Sequence, residues 1–162
     1  MTTQQAIEQL FAQLSELSHK LGELAAILLQ EQSALTQNEF ASIEALAKEK
    51  ESLSVQIEQL EKQRHALGAQ LKINSDFASI REYIAAVSTR LLARFEQQWD
   101  KIITLGNQCA SQNQLNGILV AHQQRHTQQV LAILRGETGS NEVYSATGSH
   151  QALDQQHSLG HV

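Results

Sequence analysis

The stretch IEQLFAQLSELSHKLGELAAIL, residues 7–28, decides the fold. Its apolar residues Ile7, Leu10, Leu14, Leu17, Leu21, Leu24 and Leu28 follow one another in alternating steps of three and four. That spacing lays all of them along one stripe of an α-helix and makes a heptad seam, which is stable only against another helix. Glu31 takes the next seam position and Leu35 the one after. The pattern predicts a first helix over about residues 3–34. Gly22 sits off the seam and costs about 1 kcal/mol relative to alanine.

A second seam of the same period follows: Ile43, Leu46, Lys50, Leu53, Ile57, Leu60, Arg64, Leu67 and Leu71. It predicts a second helix over about 38–71. In an antiparallel hairpin the numbers of facing residues add to a constant. Leu28 with Leu46, Leu17 with Ile57 and Ile7 with Leu67 all add to 74, which puts the turn near residue 37. Thr36 and Glu39 have capping-box spacing at that place, with Asn38 a competing N-cap. Lys50 then meets Leu24, and Arg64 meets Leu10. Their stems cover apolar surface while their charged ends reach solvent or a carboxylate such as Glu23 or Glu8, or the two residues fix the register.

Asn74-Ser75-Asp76 forms the next turn, with Ser75 or Asn74 as N-cap. The third helix is expected over about 76–134. Phe77, Ile84, Leu91, Phe95, Ile102 and Leu105 fall opposite the second seam, each pair adding to 148, with Trp99 close to Lys50. In this register the second helix ends opposite about residue 109, so residues 107–134 have no partner in their own chain. No proline or turn cluster supports a fold-back there, and a kink is expected only at Gly106 or Gly117. The expected fold is all-α: an elongated antiparallel three-helix bundle over residues 1–135, with a long third helix overhanging it. A flexible tail, 136–162, holds four of the eight glycines and the lone aromatic Tyr144.

Composition agrees with long helices. There is no proline, and the aromatic content of 4% is too low to build sheets. The net charge of −5 provides no basic face for nucleic acid. The single Cys109 excludes an intrachain disulfide and a cysteine-rich zinc site. Met1-Thr2-Thr3-Gln4-Gln5 lacks the pattern of a secretory leader, and no apolar run approaches a membrane span, so a cytoplasmic protein is expected.

No catalytic set can be assembled, and neither an enzyme nor a cofactor is expected. Glu16-x-x-His19 matches half of a bundle di-metal motif but points away from the seam. His122 and His126 lie four apart without a third ligand, and the tail histidines His150, His157 and His161 have no regular spacing. No metal site is assigned. What remains is the apolar stripe of the overhang: Leu115, Ile118, Leu119, Val130, Leu131, Ile133 and Leu134. A helix face with nothing to bury it against serves either a second copy, making a structural homodimer, or a different protein.

The sequence resembles the FlgN family of flagellar type III export chaperones. The residues that carry the likeness are Asn113-Gln114-Leu115-Asn116-Gly117-Ile118-Leu119, Leu131-Ala132-Ile133-Leu134-Arg135-Gly136 and Tyr144-Ser145-Ala146-Thr147-Gly148. Upstream, Glu31-Gln32-Ser33-Ala34-Leu35, Leu46-Ala47-x-x-Lys50 and Arg64 fit as well. The resemblance implies a cytoplasmic chaperone that binds hook-associated (hook–filament junction) proteins through its C-terminal helix. It also implies that the chaperone prevents their early assembly and delivers them to the export gate. The same likeness implies that Tyr144 contacts the cytoplasmic domain of the gate.

Overall fold

The computed structural model describes residues 2–135. They form α1 (Thr3–Gln37), α2 (Phe40–Leu71), α3 (Phe77–Val87) and α4 (Thr89–Leu134). The all-α bundle is as expected. The expected tail, and Tyr144 with it, lies outside the described residues. The chain divides into a unit of residues 1–122 and a second that begins at Gln123, with the division inside α4.

α1 is the helix the others pack on. Thr2 and Gln5 cap it reciprocally: the Gln5 N–H donates to Thr2 Oγ1 (3.3 Å) and the Thr2 N–H to Gln5 Oε1 (2.9 Å). Its seam residues Ile7, Leu10, Leu14, Leu17, Leu28 and Leu35 are all buried. The cap expected at Thr36 and Glu39 is not formed. α1 runs on through Gln37, the Thr36 hydroxyl donates to Ser33 O (2.8 Å), and Asn38 ends the helix in the left-handed conformation, φ 59°. Asparagine tolerates that conformation better than most residues, so it stops the helix before it rather than starting the next.

α2 ends in the same way at Lys72, φ 58°. The turn after it leans on Gly68. A Cβ there would run into Ser75 Oγ and come within 3.1 Å of Ile73 O. Ser75 donates its hydroxyl to Arg64 O (3.5 Å). The N-cap of α3 is therefore Asp76 and not Ser75 or Asn74, its carboxylate accepting the Ser79 N–H (2.9 Å) and the Ser79 hydroxyl (2.9 Å).

The Ser79 N–H, more than its hydroxyl, holds the Asp76 carboxyl below the usual range. A depressed carboxyl stabilises the fold above its unfolded pKa, near about 4, and loses that contribution as pH falls through the folded value. Melting temperature should therefore fall on acidification below pH about 4 by more in the wild type than in Asp76→Asn, which caps without titrating. Parallel thermal melts across pH check this, and coincident acid limbs would contradict it.

The third predicted helix is interrupted at Ser88, whose backbone is extended (φ −165°, ψ 126°). The Ser88 N–H closes α3 on Ile84 O (2.9 Å), and the Leu92 N–H opens α4 on Ser88 O (3.1 Å). α3 therefore packs beside the start of α4, held by Arg81 and Glu96 (2.7 Å), and the two do not form one rod. Ile80 and Ile84 of α3, Phe95 of α4, Leu67 of α2 and Ile7, Leu10, Phe11 and Leu14 of α1 make one core. Ile80, absent from the seam read from sequence, is 2% exposed.

Because α3 takes up eleven residues, the residues of α4 fall nearer the start of α1 than in a single rod, with Cys109 beside Ala25 and not Leu35. Trp99 lies not on Lys50 but with its ring 5.4 Å from the Arg64 guanidinium, tilted against Phe77 and Phe95. Arg64 pairs with Glu61 and donates to Ser75 O; Glu8 is not its partner. Lys50 pairs with Glu31 (2.6 Å), rather than reaching Glu23, which holds Lys20 (2.9 Å).

Candidate partner-binding face

α4 contacts α1 well past the point where the sequence register ran out. The Gln98 amide donates to Leu14 O (3.3 Å) and Ser18 Oγ (3.2 Å). Cys109 is buried with Ala25 and Leu28, and its thiol donates to Leu21 O (3.4 Å). Gln112 donates to Gln32 Oε1 (2.9 Å), and Asn116 to Leu28 O (2.8 Å) and Glu31 Oε2 (2.7 Å). Residue numbers rise together on the two helices, so they run parallel. The expectation that 107–134 has no intrachain partner is therefore corrected for its first part. Residues 109, 112 and 116 recur at helical spacing and turn one face to α1.

On that helix the expected binding residues fall into two groups. Within the unit of residues 1–122, Leu115 is 41% and Ile118 57% exposed, while Leu119, three residues beyond Asn116, is half-buried. Leu115, Ile118 and His122 share a flank turned away from the Asn116 face, because the helix advances about 100° per residue. Within the second unit Val130, Leu131, Ile133 and Leu134 are all exposed, Leu134 at 77%. Four large apolar side chains in five helical positions without cover depart from the ordinary pattern of scattered exposed residues. Tyr144 lies outside the described residues.

Cys109 and His19 are engaged within the chain. Burial pushes the Cys109 thiol up, away from thiolate character. His19 lies 3.7 Å from Glu23 on an exposed surface. Among the described residues no three of His, Cys, Asp and Glu are placed to hold a metal ion, and no helix is long and apolar enough to cross a membrane. Two open grooves of about 460 and 470 Å³ flank α1, and neither is lined by Cys109 or His122.

The residues that sequence reasoning missed are Gln112 and Asn116 as partners of α1. The available signal was the pair of amides Gln112 and Asn116, four apart at the spacing of the α1-facing positions, together with Glu31 on the first seam.

No match is found among curated proteins, and none among solved structures. A family model described as FlgN protein matches residues 1–152. With the match covering nearly the whole sequence, the chain belongs to the FlgN family, a family of flagellar export chaperones.

Proposed function

We propose that the chain is a cytoplasmic export chaperone that binds hook-associated proteins through the C-terminal part of α4. In this reading it prevents their premature assembly and delivers them to the flagellar type III export gate. The observation that supports it is the set of uncovered apolar side chains on α4, from Leu115 and Ile118 to Val130, Leu131, Ile133 and Leu134. The terminal segments of such partners are heptad-patterned and prone to self-association. A helix that presents Leu and Ile at helical spacing accepts such a segment by helix-to-helix packing. Each buried Leu or Ile contributes roughly 1.5–3 kcal/mol before ordering costs. Release then needs only competition at the gate.

Titration of the purified chain with an unassembled junction subunit tests this. Saturable binding that disappears when the subunit's terminal segments are deleted is the expected result. Absence of binding, together with a concentration-dependent dimer mass, would favour a structural homodimer built on the same side chains.

Tyr144 separates holding from delivering. A tyrosine anchors a large area at low entropic cost, and this one follows the cargo helix in sequence. Tyr144→Ala should keep junction-subunit affinity within about twofold, yet weaken binding of the loaded chaperone to the gate's cytoplasmic domain at least about tenfold, or roughly 1.4 kcal/mol. Equal gate affinities would remove the delivery role. Equal losses on both sides would place Tyr144 in the cargo site.

A further inference from the structure

Asn116 is only 2% exposed, and its amide is fully used. Nδ2 donates to Leu28 O and to Glu31 Oε2, and Oδ1 accepts from Gln112 Nε2 (3.3 Å). The other oxygen of Glu31, itself 6% exposed, accepts from Lys50 Nζ. One buried carboxylate thus joins α1, α2 and α4. The three stretches that meet here, around Glu31, Lys50 and Asn116, are distant in sequence.

We propose that this layer is a register lock, in which Asn116 is a positioning residue that sets where α4 sits on the α1–α2 hairpin and which of its flanks faces outward. The proposal rests on α4 being the partner-binding helix. The apolar spacing of the sequence does not by itself choose the register. By spacing alone, Leu91, Phe95, Ile102 and Leu105 also match the hairpin seam with Ile102 opposite Leu46, a register that leaves Cys109 level with Leu35 instead of Ala25. What separates the two is polar. In the shifted register the Glu31 carboxylate loses Asn116, and a buried charge short of a partner is strongly disfavoured. A single polar position specifies helix register in coiled coils for the same reason. In the observed register Leu115 and Ile118 are left outward. A turn of α4 by one residue, about 100°, would carry them elsewhere.

The test uses the native Cys109 with a short thiol crosslinker and a second cysteine introduced as Ala25→Cys or Leu35→Cys. With the layer intact only the 25–109 adduct should form. In Glu31→Leu/Lys50→Met/Asn116→Leu, which replaces the layer by apolar residues, both adducts should form in comparable amounts. Affinity for the junction subunit should fall at least about tenfold although Leu115 and Ile118 are unchanged. Retention of the single 25–109 adduct in the triple variant would overturn the lock. If that variant does not fold, Asn116→Ser is read in the same way. Loss of partner binding in Asn116→Ser with the single adduct kept would also overturn it, because Asn116 would then contact the partner directly. The adducts are scored without partner, so failure of the wild type to bind a junction subunit would count against the proposed function and leave the register result standing.

Discussion

Phe95→Ala is expected to destabilise the protein by about 3–5 kcal/mol, the range for truncating a fully buried phenylalanine. Phe95 is completely buried where all four helices meet. Its ring stacks on Phe77 at 5.6 Å and lies 5.5 Å from Trp99, so its removal empties a site lined by residues of all four helices. The walls belong to different helices, and collapse would require α3 to shift against α1. Part of the cavity should therefore persist. For an ordered chain of this size the loss corresponds to a fall in melting temperature on the order of 10 °C. Phe40→Ala is the matched control, since Phe40 is 74% exposed and its truncation should stay within about 0.5 kcal/mol. Thermal and urea melts followed by circular dichroism read both. A shift for Phe95→Ala no larger than for Phe40→Ala would mean that α3 and α4 do not share the core described above.

The second large effect is on binding and not on stability. Ile118→Asp is expected to lower affinity for a junction subunit at least about a hundredfold, or roughly 2.7 kcal/mol, while the melting temperature stays nearly constant. The two effects separate because Ile118 is 57% exposed in the free chain, so an aspartate there keeps its water. On binding, that carboxylate would lose its hydration against an apolar segment without gaining a partner. Leu119→Asp should behave differently. Leu119 is half-buried on the side that continues from Asn116, so the same substitution there should lower both stability and affinity. Titration and melts on the two variants separate these outcomes. A drop in melting temperature for Ile118→Asp as large as for Leu119→Asp would place Ile118 against the bundle.

The hairpin of α1 and α2 was legible because its seams are regular and the turn between them is short. The first-helix seam from Ile7 to Leu28 leaves little freedom about which face is buried, and Leu67 shares a core with Ile7. The caps were less legible. Thr36, Asn38 and Glu39 are all capping residues, and only the left-handed backbone at Asn38 decides among them. The break at Ser88 was not legible. It uses neither glycine nor proline, only an extended serine between Val87 and Thr89, and the apolar period passes through it without a fault. That break frees α4 from the register of a single continuous rod. In the register α4 takes, Trp99 lies by Arg64 and not Lys50, and Cys109 and Asn116 lie on α1.

The exposed residues of the candidate site were legible as an apolar stripe on a polar helix. Which of them lie free was not, because this depends on how far α4 reaches along α1. The polar layer was hidden for a related reason. Glu31, Lys50 and Asn116 each read as a defect in an apolar seam or as a solvated residue, and their complementarity appears only when three helices are brought together.

Hydrogen exchange of the free and loaded chain tests most directly the claim that the C-terminal part of α4 holds the cargo. Loading with a junction subunit should slow amide exchange in peptides covering residues 115–134. It should leave α2 around Val55 unchanged, although Val55 is also 48% exposed. New protection centred on α2, with none over 115–134, would contradict the account.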